Sequence, residues 1–130
     1  MTVKLHTPET MPRRGGYSQV AEVTKSKLVL IAGQVPHDVN DKLVGEGDFA
    51  AQVEQVFKNA DAAVRAAGGT FANVVKINNY LVDIPANIGT FREVRDQYLN
   101  MAAPPASTAV GVPALARPGA LFEIEAIAVL

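Results

Sequence analysis

An α+β fold, a mixed sheet with two helices on one face, follows from three observations in this sequence. Short apolar runs bounded by turn residues recur along the chain. One segment repeats its apolar residues at helical spacing. The resulting element order is β-β-α-β-α-β-β, in which the helices can cover one face of the sheet. The 130 residues suit one domain spanning 1–130.

The first strand is read over 17–24, Y-S-Q-V-A-E-V-T. Ser26-Lys27 marks a turn, and 27–32, K-L-V-L-I-A, forms a second strand stopped at Gly33. The short connection predicts a hairpin between the two. Residues 36–48 hold Asn40-Asp41 and two glycines, which predicts loop with a short strand near Leu43. Phe49, Val53, Val56, Phe57, Ala60, Val64 and Ala67 then share one helical face. Asp48 caps that helix, and Gly68-Gly69 ends it. Residues 74–82, V-V-K-I-N-N-Y-L-V, form a strand. Thr90 and Glu93 stand at capping-box spacing and open a second helix, whose apolar stripe is Phe91, Val94 and Tyr98. Residues 107–112 and 121–130 complete the strands.

Strand 27–32 is apolar on both alternating faces, with Leu28, Leu30 and Ala32 on one and Val29 and Ile31 on the other. A half-exposed strand alternates apolar and polar residues. Two helices cover one face only, so the other needs a second copy of the chain or a barrel-like closure.

Composition limits the chemistry. Lys plus Arg number 12 against 13 Asp plus Glu, a net charge of −1, which disfavours nucleic acid as a partner. There is no Cys, so disulfides, thiolate metal sites and Cys nucleophiles are excluded. No apolar run approaches the ~18 residues of a membrane span, and the first 16 residues lack the apolar stretch of a signal peptide. The expectation is a cytoplasmic protein without a metal site. His6 and His37 lack a helical i, i+4 partner and read as surface residues, and Arg117 reads as a solvated turn residue.

Two features invite chemistry. Glu123 and Glu125 share a strand face about 6–7 Å apart, flanked by aliphatics. Such a pair either includes an acid–base group or meets solvent and basic residues. Arg95 lies within the apolar arc of the second helix, where a guanidinium binds a carboxylate in a cleft or snorkels from its edge.

Several segments occur together in a familiar order: Gly16-Tyr17-Ser18-Gln19, Ala32-Gly33-Gln34-Val35-Pro36, Gln52 with Asn59, Pro105-Ala106-Ser107-Thr108, and Glu123-Ile124-Glu125-Ala126-Ile127-Ala128. From about Tyr17 to the C-terminus the chain resembles the Rid family of reactive intermediate deaminases, also labelled L-PSP endoribonucleases. The resemblance implies a chorismate-mutase-like fold and a homotrimer with clefts between subunits. It also implies hydrolysis of enamines and imines to keto acids and ammonia, with a small carboxylate-bearing substrate and no cofactor. In the family pattern a Glu helps position water, which transfers to Glu123. The cleft-lining Tyr transfers to Tyr17, the backbone-presenting Gly to Gly33, and the substrate-holding segment to Ser107 and Thr108.

Ser107 stands where the family carries the Arg that grips the substrate carboxylate. A hydroxyl donates one hydrogen bond and cannot make a bidentate, charge-assisted pair. A hydrogen bond to a charged group contributes about 1.5–3 kcal/mol, so binding should weaken roughly tenfold to a hundredfold or more. Arg95 stands in a stretch where familiar deaminases carry Asn near the cleft. It either supplies a replacement cation or closes an intersubunit salt bridge. The leading expectation is a Rid-like hydrolase. A non-catalytic metabolite-binding trimer is the alternative, and an endoribonuclease the least favoured.

Overall fold

The computed structural model describes residues 3–12, 15–25 and 27–130. It contains strands β1 (Val3–His6), β2 (Val20–Val23), β3 (Leu28–Gln34), β4 (Val74–Val82), β5 (Ala106–Val112) and β6 (Phe122–Val129). Helix α1 spans Phe49–Ala66, helix α2 spans Ile84–Tyr98, and a 3-10 turn at Phe71–Asn73 leads into β4. The turn expected at Ser26 lies outside the described residues.

The main sheet has the order β3-β6-β4-β5, antiparallel except for the β4–β5 pair, which is parallel. Helix α2 makes the crossover that parallel neighbours require. Strand β6 sits inside the sheet, with Phe122, Ile124, Ala126 and Ala128 on one face and Glu123, Glu125 and Ile127 on the other. The first row packs against Val53, Val56, Phe57, Ala60 and Val64 of α1 and Phe91 and Val94 of α2. Phe122 lies within 6.2 Å, centroid to centroid, of each of three rings, those of Phe49, Phe57 and Phe91. Both helices therefore share one face, as the fold class requires.

Three local expectations are corrected. Strand β2 does not pair with β3. It pairs antiparallel with β1, a strand the sequence reading did not identify, in a separate two-stranded sheet. Strand β3 goes instead to β6, and the Lys27 and Leu130 backbones exchange hydrogen bonds of 2.9 Å at that end. A long apolar partner outcompetes a short polar one, because it buries more surface per residue ordered. Helix α2 begins six residues before Thr90, at Ile84. Asp83 takes a left-handed conformation with φ 52°, and Pro85 occupies the first turn, where its missing N–H costs nothing. Pro85 was the available signal. Finally, His37 is buried rather than on the surface.

The expected start of α1 is present. The Asp48 carboxylate accepts from the Ala51 N–H at 3.1 Å, and Gly68 leaves the helix at φ +98°. Gln52, fully buried, donates to the carbonyls of Gly45 (3.1 Å) and Gly119 (3.0 Å) and accepts from the Leu121 N–H (2.8 Å). Asn59 donates to the carbonyls of Val35 (3.0 Å) and His37 (2.9 Å). The polar side chains of α1 thus fix the loops that leave β3 and enter β6.

Candidate functional site

The chain between β1 and β2 is carried across the molecule to the start of β5. Ser18 donates from its backbone to the Pro105 carbonyl (3.0 Å) and from its hydroxyl to the Pro104 carbonyl (2.6 Å). That double tie brings the Tyr17 segment to the start of β5, which carries Ser107. Helix α2 forms the facing wall. A cleft of about 400 Å³ results, bordered by Tyr17, Gln19, Arg92, Arg95, Ser107 and Thr108, with Phe91 and Ile88 among its apolar neighbours.

Arg95 has only 8% of its surface exposed. Its guanidinium lies 5.7 Å from the Phe91 ring centroid, within cation–π range. Its Nε and Nη2 each lie 2.9 Å from Oδ1 of Asp96. Gly16, at φ +88°, makes room for it, since a Cβ there would overlap the guanidinium. Asp96 engages two of the five N–H donors, and among the described residues no other acceptor takes the remaining three. The charged end of Arg95 is therefore held at the cleft rather than snorkelling away from it.

Ser107 faces the helix side of the sheet, opposite Ile77, and its Oγ accepts from Asn79 Nδ2 at 3.1 Å. With that acceptor role filled, its O–H is available to donate. Thr108 also borders the cleft, but its side chain points to the opposite face of the sheet, beside Asn78, where its hydroxyl accepts from Lys76 Nζ at 3.1 Å.

Glu123 and Gly33 form a separate group. Glu123 lies opposite Tyr80 on the helix-free face of the sheet and does not line the cleft of its own chain. The β3–β6 register shifts between Ile31 and Gln34, a bulge that includes Gly33. A Cβ on Gly33 would overlap the Glu123 carboxylate. Bulges beside functional groups re-aim the chain locally. Here one brings a bare backbone against an acid.

The two carboxyls on β6 are not equivalent. Glu125 accepts from Asn78 Nδ2 (3.1 Å) and from the Tyr80 hydroxyl. The Tyr80 bond, then the Asn78 bond, hold Glu125 below the usual carboxylate range against the opposing effect of burial. Glu123 has no such side-chain hydrogen bond among the described residues. Burial pushes its carboxyl up, and the neighbouring Glu125 charge adds to that. The surroundings of the two carboxyls thus move their titrations apart, an arrangement compatible with acid–base chemistry at one of them.

The structure therefore brings together Tyr17, Arg95, Ser107 and Thr108 from the sequence reading and leaves Glu123 and Gly33 as a second cluster. The reading missed Arg92. Its signal was its i, i+3 spacing from Arg95, which places both on one side of a helix. Arg117 is the solvent-accessible turn residue expected, and it makes a bidentate pair with the exposed Asp41, both contacts 2.9 Å. Among the described residues no group of three or more His, Asp or Glu is placed to hold a metal, and no helix is long and apolar enough to cross a membrane.

Comparison with known proteins gives a consistent result. Residues 7–130 match the family described as Endoribonuclease L-PSP. The protein DfrA of Myxococcus xanthus is 36% identical over 125 residues, covering 96% of this chain and 93% of that one. The 2-iminobutanoate/2-iminopropanoate deaminase of Mus musculus is 37% identical over 115 residues, covering 88% and 82%. Among solved structures, a Rid-family protein of unknown function, YyfB from Yersinia pestis, superimposes with a TM-score of 0.92 at 38% identity over all of both chains. RidA from the Antarctic bacterium Psychrobacter sp. superimposes with a TM-score of 0.73 at 36% identity, covering 100% of this chain and 99% of that one.

Proposed function

The chain belongs to the Rid, or L-PSP endoribonuclease, family, and from that premise we propose that it hydrolyses an imine or enamine of a small carboxylic acid to a keto acid and ammonia. The observation that carries the reading is the convergence of Tyr17, Arg95 and Ser107 on one cleft. The name of the mouse relative supports the reaction class.

The reaction asks little of the protein. A protonated imine carbon is already electrophilic. An enamine reaches the same state when its β-carbon takes a proton. Water then adds to the imine carbon, and the C–N bond breaks as nitrogen leaves as ammonia. The protein must hold the carboxylate, place the water and move one proton. Arg95 supplies the charge that Ser107 lacks, while the Ser107 hydroxyl and Tyr17 supply orientation. Glu123 receives the proton of the attacking water and returns it to the nitrogen. Ammonia then leaves as the hydroxyl loses its proton to solvent and becomes the carbonyl. Gly33 leaves room for the Glu123 carboxylate.

Glu123 and Arg95 occupy opposite sides of the sheet, so this reading requires a second copy to bring its Glu123 to the cleft. A homotrimer does so. Leu28 (61% exposed), Leu30 (72%) and Val110 (41%) leave an apolar surface on the helix-free side, which supports such coverage. A small-molecule substrate, a cytoplasmic location and independence of nucleic acid complete the proposal.

The test is hydrolysis of imines generated in situ from amino acids by an amino acid oxidase, with release of keto acid followed. Turnover above buffer, reduced about a hundredfold or more in Glu123→Gln, is expected. Buffer-level rates with every imine would sink the reading. Saturable binding without turnover would instead support a metabolite-binding trimer, the reading that the missing family Arg favours.

A further inference from the structure

The cleft holds a second cation with no assigned task. Arg92 borders it three residues before Arg95 on α2, so their side chains emerge from neighbouring positions on one side of the helix. The two differ in depth. Arg95 is buried, and Arg92 is exposed. They also differ in compensation. Arg95 has Asp96, whereas Arg92 has no carboxylate within ion-pair distance among the described residues. Asp96 itself is half-exposed, with 47% of its side chain accessible. One solvated carboxylate paired with Arg95 does not neutralise two guanidiniums, and two like charges at this spacing repel. The wall therefore presents donors for anions at two depths.

We propose that the substrate is an imino dicarboxylate, with one carboxylate held at Arg95 and Ser107 and the other, at the far end of its side chain, held at Arg92. This rests on the imine-hydrolase reading above and specifies its substrate class. A monocarboxylate with an aliphatic side chain fills one of the two positions and leaves Arg92 facing an apolar group. A dicarboxylate meets a planar fork at each end. The dicarboxylate also matches the wall's charge. Its protonated imine carries a net charge of −1, against a wall that sums to +1 over Arg92, Arg95 and Asp96, whereas the monocarboxylate iminium is neutral. Ser107 in place of a third guanidinium keeps that wall from accumulating more positive charge.

Two measurements separate this inference from its premise. The first compares hydrolysis of 2-iminosuccinate and 2-iminoglutarate with that of 2-iminopropanoate and 2-iminobutanoate. The expected kcat/KM preference for the dicarboxylates is about tenfold or more, and Arg92→Gln should reduce that ratio about tenfold. Arg65→Gln, on α1 and paired with Asp61, should leave the ratio unchanged. Hydrolysis of the monocarboxylates with no preference would overturn the dicarboxylate inference and leave the imine-hydrolase reading intact. The second is calorimetric binding of unreactive anions, glutarate against butyrate. Tighter binding of glutarate, lost in Arg92→Gln, supports the two-anion cleft whether or not any imine is turned over. Equal affinities, or a preference unchanged in Arg92→Gln, overturn it.

Discussion

At the scale of single residues, the chemistry turns on two carboxyls that share a strand and differ in their surroundings. In the proposed reaction Glu123 acts on water only as a carboxylate, so activity should rise with pH through its raised titration. The acid limb of kcat/KM should therefore lie above the ordinary glutamate range. Part of that elevation comes from the Glu125 charge, so Glu125→Gln should move the limb to lower pH. A limb that stays in place would show that the charge is not felt. The stability contributions have opposite signs. Glu123, with a raised folded-state titration, contributes stability at low pH that is lost as pH rises through it. Glu125, with a depressed one, contributes stability at neutral pH that is lost as pH falls through it. Gly16 offers a further check. Its φ of +88° and the guanidinium beside it leave no place for a Cβ. Gly16→Ala should destabilise the fold by about 1–2 kcal/mol for the backbone alone and displace Arg95. Denaturant melting and anion affinity would report the two effects separately.

At the scale of elements, α1 is legible because its signals are local. A carboxylate cap, a repeating apolar face and a glycine exit all belong to one stretch of chain. Asp48→Ala should cost about 1 kcal/mol, measurable as a shift in the urea midpoint. The start of α2 was hidden because Thr90 and Glu93 imitate a capping box in mid-helix, and the true start depends on a left-handed Asp83 without a side-chain cap. Gln52 shows how far an element's influence extends. Its three hydrogen bonds join α1 to the loops before it and before β6. Gln52→Leu leaves an N–H and two carbonyls unpaired in the interior, at about 1–3 kcal/mol each. A loss of several kcal/mol in chemical denaturation is expected. A change below 1 kcal/mol would mean that water replaces the amide.

At the scale of the whole molecule, β3 and β6 are filled on one face by the helices and left apolar at Leu28, Leu30 and Ile127 on the other. That surface adjoins Glu125 and Asn78 at an open depression of about 450 Å³. If copies of the chain cover it, sedimentation velocity should give a trimer. Leu30→Glu, which places a charge on a surface already exposed in the protomer, should shift the distribution to smaller species and reduce turnover without unfolding the protomer. A monomeric parent protein would remove the basis for a shared cleft.

The sequence by itself determined the α1 and β4 boundaries, the apolar and acidic rows of β6, and the unusual placement of Arg95, because each rests on periodicity or capping within a few turns of chain. It also carried the family, through short motifs far apart along the chain. Tertiary structure alone decided which strands pair, since β2 had two partners within reach and long-range burial chose between them. It alone decided that Tyr17 and Ser107 border one cleft, through the bonds from the Ser18 hydroxyl to the Pro104 carbonyl, 86 residues away in sequence, and from the Ser18 N–H to the Pro105 carbonyl. It alone set Glu123 and Arg95 on opposite sides of one sheet. Strand periodicity assigns a residue to a row, but only the packed sheet shows which row meets the helices.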